Sequence, residues 1–251
     1  MNTIISLQQD LAALGVKPQD TLLMHSSMKA IGPVEGGAEA VLDALTGYLK
    51  GGTLVLPTLS WKIIDDKPPV FDARKTPSIV GLLTETFRKR PGIVRSLHPT
   101  HSVAAIGSKA DFIVSEDHLN TTPCGERSAW HKLMELNGKI LMAGCGLNRC
   151  TFIHGVEEWL DIPNRLGEQM DFIMDRPDGS SFTMRSCPHR GQPSEQFPKA
   201  QAALEQAGAL SHGKFGSADA LLLDARKTYE TLKTLLRKDP QLFDDPDLAE
   251  G

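Results

Sequence analysis

The sequence lacks several features that would each assign a class of protein. It holds 4 cysteines in 251 residues, and none of them forms a C-x-x-C pair. Structural zinc sites need closely spaced cysteine and histidine ligands, so we expect four reduced thiols. No apolar run approaches the ~20 residues that span a bilayer, and no basic segment followed by an apolar one opens the chain. These absences predict a cytoplasmic protein that uses no membrane.

Three widespread ligand-binding or catalytic motifs are also missing. No G-x-x-x-x-G-K-[ST] stretch occurs, and Gly144-x-Gly146 lacks the third glycine of a dinucleotide fingerprint. No G-x-S-x-G elbow of an α/β-hydrolase occurs either. Positive charge is scarce, because 27 Lys and Arg stand against 31 Asp and Glu for a net charge of −4. This balance argues against a nucleic-acid partner.

Short apolar strands alternate with amphipathic helices along the first 145 residues. Alternation of this kind, with uniformly apolar strands, predicts a three-layer α/β/α fold with a largely parallel central sheet. The predicted strands are Thr21–Met24, Thr53–Leu56, Val103–Ile106 and Lys139–Ala143. The polar, proline-rich residues 60–77 predict a loop or lid.

The pattern changes after about residue 165, which predicts an antiparallel appendage. Met170–Met174 and Ser181–Met184 flank Pro177-Asp178-Gly179 as in a β-hairpin. Helices are predicted at Phe197–Ala207 and Ala218–Leu236. We therefore expect one domain over residues 1–251, with a core over about 1–165 and a hairpin and helical part over about 166–240.

A strand, a polar tip and a glycine-opened helix follow one another near the N-terminus. His25, Ser26 and Ser27 end the first strand, and Gly36-Gly37 opens the next helix. Ligands of open α/β sheets bind outside the carboxyl ends of strands, and helix N-termini attract anions. The segment therefore predicts a site for a phosphorylated ligand, with His25 in it.

A second segment, TFIHGVEEWLDIPN from Thr151, places acids beside a histidine. Glu157 and Glu158 lie three and four residues after His154, on one face of a predicted helix. A carboxylate beside an imidazole raises its basicity, as a general base requires. The alternative interpretation is an ordinary solvated helix face.

Three groups of residues have competing interpretations. Arg95-Ser96 suits a phosphate, because arginine presents a planar fork of donors, but a surface loop gives the same pattern. His98 and His101 suggest a metal, yet a third ligand is missing, so no metal is expected. Ser26 or Ser27 beside a histidine leaves a serine hydrolase as an alternative.

Four blocks of the sequence together resemble the antibiotic N-acetyltransferase family, which includes the aminoglycoside 3-N-acetyltransferases. They are HSSMKAIGPVEGGAE (25–39), GGTLVLPTLSW (51–61), RSLHPTHSVAAIG (95–107) and GKILMAGCGLNRCTFIHGVEEWLDIPNR (138–165).

The resemblance implies an α/β/α fold, acetyl-coenzyme A as donor and an amine as acceptor, the 3-amino group of an aminoglycoside by default. It implies that His154, with Glu157, matches the H-x-x-E position of the family's general base, and that His25 matches a second family histidine. The resemblance would place the coenzyme along Ser26, Ser27, Gly36, Gly37, Arg95, Ser96, His98 and Ser102.

This sequence departs from the family after Trp61, where the loop is compact, and around Ser186–Arg190. His189 and Arg190 stand where the aminoglycoside enzymes tend to be acidic, although a polycation needs carboxylates in its cleft. The residues predicted to contact the acceptor are Asp65, Asp66, Glu158 and His189.

Three alternatives to aminoglycoside acetylation stay open: acetylation of another metabolite amine, a serine hydrolase, and an inactive coenzyme-binding protein. A homodimer is compatible with the sequence, but no residue pattern fixes the oligomeric state.

Overall fold

The computed structural model describes residues 1–245, which form nine α-helices and ten strands. The helices are α1 (Ile4–Leu14), α2 (Met28–Ile31), α3 (Gly37–Tyr48), α4 (Leu82–Phe87), α5 (Ala110–Val114), α6 (Ala129–Glu135), α7 (Thr151–Trp159), α8 (Gln201–Gln206) and α9 (Ala225–Lys238). The strands are β1 (Thr21–Ser26), β2 (Thr53–Pro57), β3 (Val70–Asp72), β4 (Val94–Arg95), β5 (Val103–Gly107), β6 (Lys139–Ala143), β7 (Met170–Asp175), β8 (Ser181–Ser186), β9 (Leu210–Phe215) and β10 (Ala218–Asp224). The 3-10 helices are Trp61–Asp65, Asp117–Leu119, Leu147–Arg149 and Pro193–Ala200.

The large sheet has seven strands in the order β4-β5-β2-β1-β6-β10-β9. The central strands β2, β1 and β6 pair in parallel, whereas the outer pairings are antiparallel. Only β5 and β10 run against the other five strands, as these pairings require. The predicted largely parallel central sheet is therefore confirmed by strand direction.

Helices cover both faces of this sheet because successive strand residues point to opposite sides. Leu23 and Ile140 enter a core with α5, α6, α7 and α9, while Leu22 and Leu141 enter a second core with α1, α3 and α4. These two cores give the predicted α/β/α layers. His25 lies two residues after Leu23 and so faces the α7 side.

A small sheet, in the order β3-β7-β8, stands beside the large one. The predicted hairpin is confirmed as β7 and β8, which pair in antiparallel. Residues 60–77 are more ordered than the predicted loop, because they contain the 3-10 helix Trp61–Asp65 and the strand β3. β3 pairs in parallel with β7 and packs with it around Phe71 and Phe172 in a third core.

The helix predicted over Ala218–Leu236 is wrong in its first seven residues, which form β10 between β6 and β9. Leu222 and Leu223 enter the cores on opposite faces of the sheet, so the stretch 221–223 is apolar without alternation. Such a run is typical of both a buried strand and a buried helix. The helix α9 begins after Asp224, whose side chain accepts a hydrogen bond from the Lys227 N–H.

The helix predicted over Phe197–Ala207 is split into the 3-10 helix Pro193–Ala200 and α8. In residues 1–245, no helix combines the length and the apolar character that crossing a bilayer requires.

Candidate active site

A cleft of about 880 Å³ opens at the carboxyl ends of the three parallel strands. Ser26 of β1, Pro57 of β2 and Cys145, which follows β6, all line it. This is the position that ligands take in open α/β sheets. The location predicted for the site from the ends of the strands is therefore where the structure has its cleft.

His154 occupies the floor of the cleft because β6 turns sharply into the segment that precedes α7. Gly144 makes this turn with φ of +74°, and a Cβ there would lie 2.3 Å from Ala30 Cβ. Apolar residues of α7, including Ile153 and Val156, bury the opposite side of the helix. His154 thus faces the cleft with 14% of its side chain exposed.

Glu157 lies behind His154, one turn along α7. Its Oε2 is 3.5 Å from His154 Nδ1, and its side chain is fully buried. Its Oε1 accepts a hydrogen bond from Arg165 Nε, and Arg165 also donates to Asp244 Oδ1 at 2.8 Å. Arg165 therefore holds the carboxylate in place. Because Nδ1 faces Glu157, Nε2 is the nitrogen that His154 can present to a substrate.

Burial lowers the pKa of His154 below its usual value, and the neighbouring His189 lowers it further, while Glu157 and Glu158 oppose this shift. A lowered pKa keeps the imidazole neutral at pH 7. A neutral imidazole beside a carboxylate can accept a proton and then be stabilised as the cation.

His189 covers His154 from the small-sheet side. The two rings stack with centroids 4.3 Å apart and planes inclined by 22°. His189 Nε2 lies 2.7 Å from Glu158 Oε1, so the second carboxylate of α7 fixes the second imidazole. Glu158 also accepts from the Cys124 N–H at 3.0 Å. The predicted acceptor contact Glu158 is therefore buried behind His189, whose side chain lines the cleft.

His25 forms the β1 side of the cleft. Its ring stacks on Trp130, with centroids 6.3 Å apart, and its Nε2 has no hydrogen-bond partner. Burial lowers the pKa of His25 to about 4, which keeps this imidazole neutral. An unpartnered buried nitrogen at a cleft is a group that a ligand can satisfy.

Ser26 and Ser27 line the cleft beside His25. The Ser27 N–H donates to Ala143 O at 2.9 Å, and the Ser27 hydroxyl accepts from the Ala30 N–H at 3.3 Å. Ser27 thus caps the short helix α2, and its hydroxyl proton remains available for a ligand. We call His25, Ser26, Ser27, His154 and His189 the cleft cluster.

A second polar group, which we call the Arg95 cluster, consists of Arg95, Ser96, His98 and Ser102. None of its members is among the described residues that line the cleft. Arg95 donates to Thr58 O at 2.8 Å, to Thr76 O at 2.5 Å and to Ser102 Oγ at 3.1 Å. Its guanidinium also lies 4.8 Å from the Phe71 ring centroid. The Arg95 guanidinium, predicted to bind a phosphate, thus donates its hydrogen bonds to other segments of the protein.

The other members of the Arg95 cluster are equally enclosed. Ser96 Oγ accepts from the Val103 N–H at 2.9 Å, and His98 Nδ1 accepts from the His101 N–H at 3.0 Å. Ser96, His98 and Ser102 are fully buried. Burial lowers the pKa of His98 to about 3.

Four other predicted residues also lie away from the cleft. Gly36 and Gly37 open α3 in an exposed position, and Asp65 and Asp66 are exposed in and after the 3-10 helix Trp61–Asp65. None of the four is among the described residues that line the cleft. Of the predicted anion cradle, Ser26 and Ser27 line the cleft and Gly36 and Gly37 do not, and its role in binding stays a prediction.

Some cleft residues were missed in the sequence. His101 lines the cleft 4.7 Å from His189, between ring centroids, and its HPTH motif was a usable signal. Arg149 and Glu195 also line it, and they form an ion pair at 3.6 Å. No local pattern marks these two, because they come from separate 3-10 helices.

One group of side chains has the donor types of a metal site. Ligand atoms of Cys124, Glu158 and His189 lie within 4.8 Å of one another, a set that suits zinc. Both oxygens of Glu158 already accept from the Cys124 N–H, and burial raises the pKa of the Cys124 thiol well above its usual value. These partners leave the group satisfied without an ion. The prediction of a site without metal stays a prediction.

The comparisons with known proteins agree with this fold. A model of the family described as aminoglycoside 3-N-acetyltransferase matches residues 23–237. Aminoglycoside N(3)-acetyltransferase IV of Salmonella sp is 31% identical over 236 residues, which cover 93% of this chain and 87% of that protein.

Two solved structures resemble the whole chain. A histidine-to-alanine mutant of aminoglycoside acetyltransferase AAC(3)-IVa in complex with a gentamicin superposes with a TM-score of 0.84 at 30% identity, covering 98% of this chain and 92% of that one. A binary complex of AAC-IIIb with CoASH superposes with a TM-score of 0.81 at 28% identity, covering 94% of this chain and 96% of that one. With a matching family model over most of its length, the chain belongs to the aminoglycoside 3-N-acetyltransferase family.

Proposed function

We propose that the protein transfers the acetyl group of acetyl-coenzyme A to an amine of a small molecule, with His154 as general base. The observation that carries the proposal is the buried, neutral His154 at the cleft floor, with Glu157 at 3.5 Å from Nδ1. The ligands of two related structures support this reaction class. One structure contains gentamicin, which has amines, and the other contains CoASH, which is the thiol product of acetyl-coenzyme A.

An ammonium has no lone pair for attack, so the acceptor first loses one proton to solvent and reacts as the neutral amine. The base is needed for the second proton, which must leave the nitrogen as the C–N bond forms. His154 Nε2 takes a proton from the acceptor nitrogen as this nitrogen attacks the thioester carbonyl. The cation formed on His154 is then stabilised by Glu157, which Arg165 keeps oriented. A C–N bond forms and the C–S bond breaks. The proton held by His154 passes to the departing thiolate, which leaves coenzyme A and the N-acetyl product.

Negative charge develops on the thioester oxygen during this attack. The Ser26 and Ser27 hydroxyls are the donors we assign to it, because the Ser27 N–H is already bonded to Ala143 O. Loss of one donor of this kind typically raises the barrier by ~3 kcal/mol. His25, with its unpartnered Nε2, completes the same side of the cleft.

The family name makes the 3-amino group of aminoglycosides the first acceptor to assay. The test measures thiol release from acetyl-coenzyme A with aminoglycosides and with simpler amines, for the parent protein and for His154→Ala. We expect release that depends on both the amine and His154. Release without an amine would indicate a hydrolase, and coenzyme binding without release on any amine would indicate an inactive binding protein.

A further inference from the structure

The cleft carries almost no net charge of its own. Among the described residues that line it, Glu195 is the one carboxylate and Arg149 the one permanent cation. They pair at 3.6 Å, and Asn148 Nδ2 donates to Glu195 at 3.2 Å. The single acidic side chain of the lining thus already has a cationic partner.

The two carboxylates behind the histidines, Glu157 and Glu158, add little negative charge to the cleft. Glu157 is fully buried and bound by Arg165, so its charge is compensated within the protein. Glu158 has 4% of its side chain exposed and accepts hydrogen bonds from the Cys124 N–H and from His189. Neither Glu157 nor Glu158 is among the described residues that line the cleft, so neither offers its carboxylate to an acceptor.

The wall of the cleft that faces the small sheet is largely apolar. Leu59, Trp61 and Ile64 come from the segment that leads into β3, and Ile79 and Val80 follow β3. Asp65 and Asp66 are exposed outside the lining, although Asp65 directly follows Ile64. This wall offers contact to hydrocarbon or to a sugar face, and it offers no carboxylate.

We propose that the natural acceptor is an amine whose reacting nitrogen is its single cationic centre, joined to an uncharged and partly apolar body. This inference rests on the proposed acetyl transfer and narrows its substrate class. A polycationic acceptor would have to give up the hydration of several ammonium groups without finding carboxylates to replace it. An acceptor with one cationic centre loses one proton to solvent and reacts at His154 as the neutral amine, so it needs no carboxylate in the lining.

The proposal is tested by measuring kcat/KM for two sets of acceptors at equal acetyl-coenzyme A concentration. One set contains amines with one cationic centre, such as an amino sugar and an arylalkylamine. The other contains the polycations gentamicin, kanamycin and apramycin. We expect the best single-cation acceptor to exceed the best polycation at least 100-fold. A polycation that equals or exceeds the single-cation acceptors, in a reaction lost with His154→Ala, would overturn the inference and leave the proposed function intact.

A variant of the cleft charge provides a second arm. Arg149→Ala removes the cation that neutralises Glu195, and Arg149→Lys is the matched control that keeps it. We expect Arg149→Ala to raise the ratio of kcat/KM for polycations over single-cation acceptors about tenfold, and the lysine variant to leave the ratio near its parent value. An unchanged ratio in the alanine variant would contradict the charge argument. If no amine at all gives release that depends on His154, the proposed function fails together with the inference.

Discussion

Two polar clusters of similar composition lie within one fold, and they differ in what satisfies their hydrogen bonds. The cleft cluster contains histidines and serines, and two of its histidine nitrogens, His25 Nε2 and His154 Nδ1, have no hydrogen-bond partner. The Arg95 cluster contains an arginine, serines and a histidine whose polar atoms are bonded to the protein. The sequence suggested a binding role for both. The comparison teaches that residue type alone identifies a candidate binding residue. Whether its donors and acceptors are already bonded within the protein separates a ligand-binding role from a structural one.

The largest effect on activity is expected from a substitution in the cleft cluster. His154→Ala removes the base, so we expect kcat to fall by about 10²- to 10⁴-fold. Binding of coenzyme A should hardly change, because no permanent charge is lost. Steady-state kinetics together with calorimetric titration of coenzyme A measure both quantities. Near-parent turnover would remove His154 from the mechanism.

The next effect tests the Arg95 cluster. Arg95→Met keeps an unbranched aliphatic side chain but deletes the guanidinium, which lies over Phe71 and donates to Thr58, Thr76 and Ser102. We expect the free energy of unfolding in urea to fall by about 3 kcal/mol, because buried acceptors lose a charged donor. The exposed Arg74→Met is the matched control, expected within about 0.5 kcal/mol of the parent.

The same variant decides whether the two clusters truly differ in function. At a temperature where Arg95→Met is fully folded, its KM for acetyl-coenzyme A should stay close to the parent value. A large rise in this KM with unchanged stability would assign Arg95 to the coenzyme phosphates and erase the distinction.

A smaller effect concerns the support of the base. Glu157→Gln keeps an oxygen for Arg165 but removes the charge beside His154, so kcat should fall by about tenfold, the equivalent of about one pKa unit in basicity. The carboxylate raises the pKa of His154, so its loss should also move the acid limb of the kcat profile to lower pH. Asp161 is exposed just after the same helix, and Asp161→Asn should leave kcat and the acid limb unchanged. An acid limb that moves to higher pH in Glu157→Gln would contradict the role of Glu157 in raising the pKa of His154.

The smallest effect is the pH dependence of the parent. Burial holds the pKa of His154 below 6.5, and the base acts when neutral, so activity is lost only as pH falls through that lowered pKa. Between pH 6.5 and pH 8, we expect kcat to change by less than about twofold. Measurement in a constant-ionic-strength buffer series checks this. An acid limb centred above pH 7 would mean that His154 is not the neutral base.

The sequence predicts the parts of this structure that depend on local pattern. The strands β1, β2, β5 and β6 follow from apolar runs, and the pairing of His154 with Glu157 follows from helical spacing. It fails at β10, because the stretch 221–223 is apolar on both faces and has no alternation to distinguish it from a helix. It also misses β9, whose sequence LSHGKF is mostly exposed and contains no apolar run. It also does not reveal the hydrogen bonds of Arg95, because Thr76 and Thr58 lie 19 and 37 residues away in the sequence. Only the packed fold tells whether a fork of donors meets a ligand or a neighbouring loop.

The parallel pairing of β3 with β7 has a consequence for synthesis of the chain. Val70 of β3 pairs with Ile173 of β7, which is synthesised about 100 residues later, so β3 has no partner strand until then. At roughly 5–20 residues per second on the ribosome, this delay lasts on the order of 5–20 s. During that time Ile63 and Phe71, which end in the third core, remain uncovered on the nascent chain. The segment from Trp61 to Asp72 is therefore where we expect a chaperone to hold this protein while translation continues.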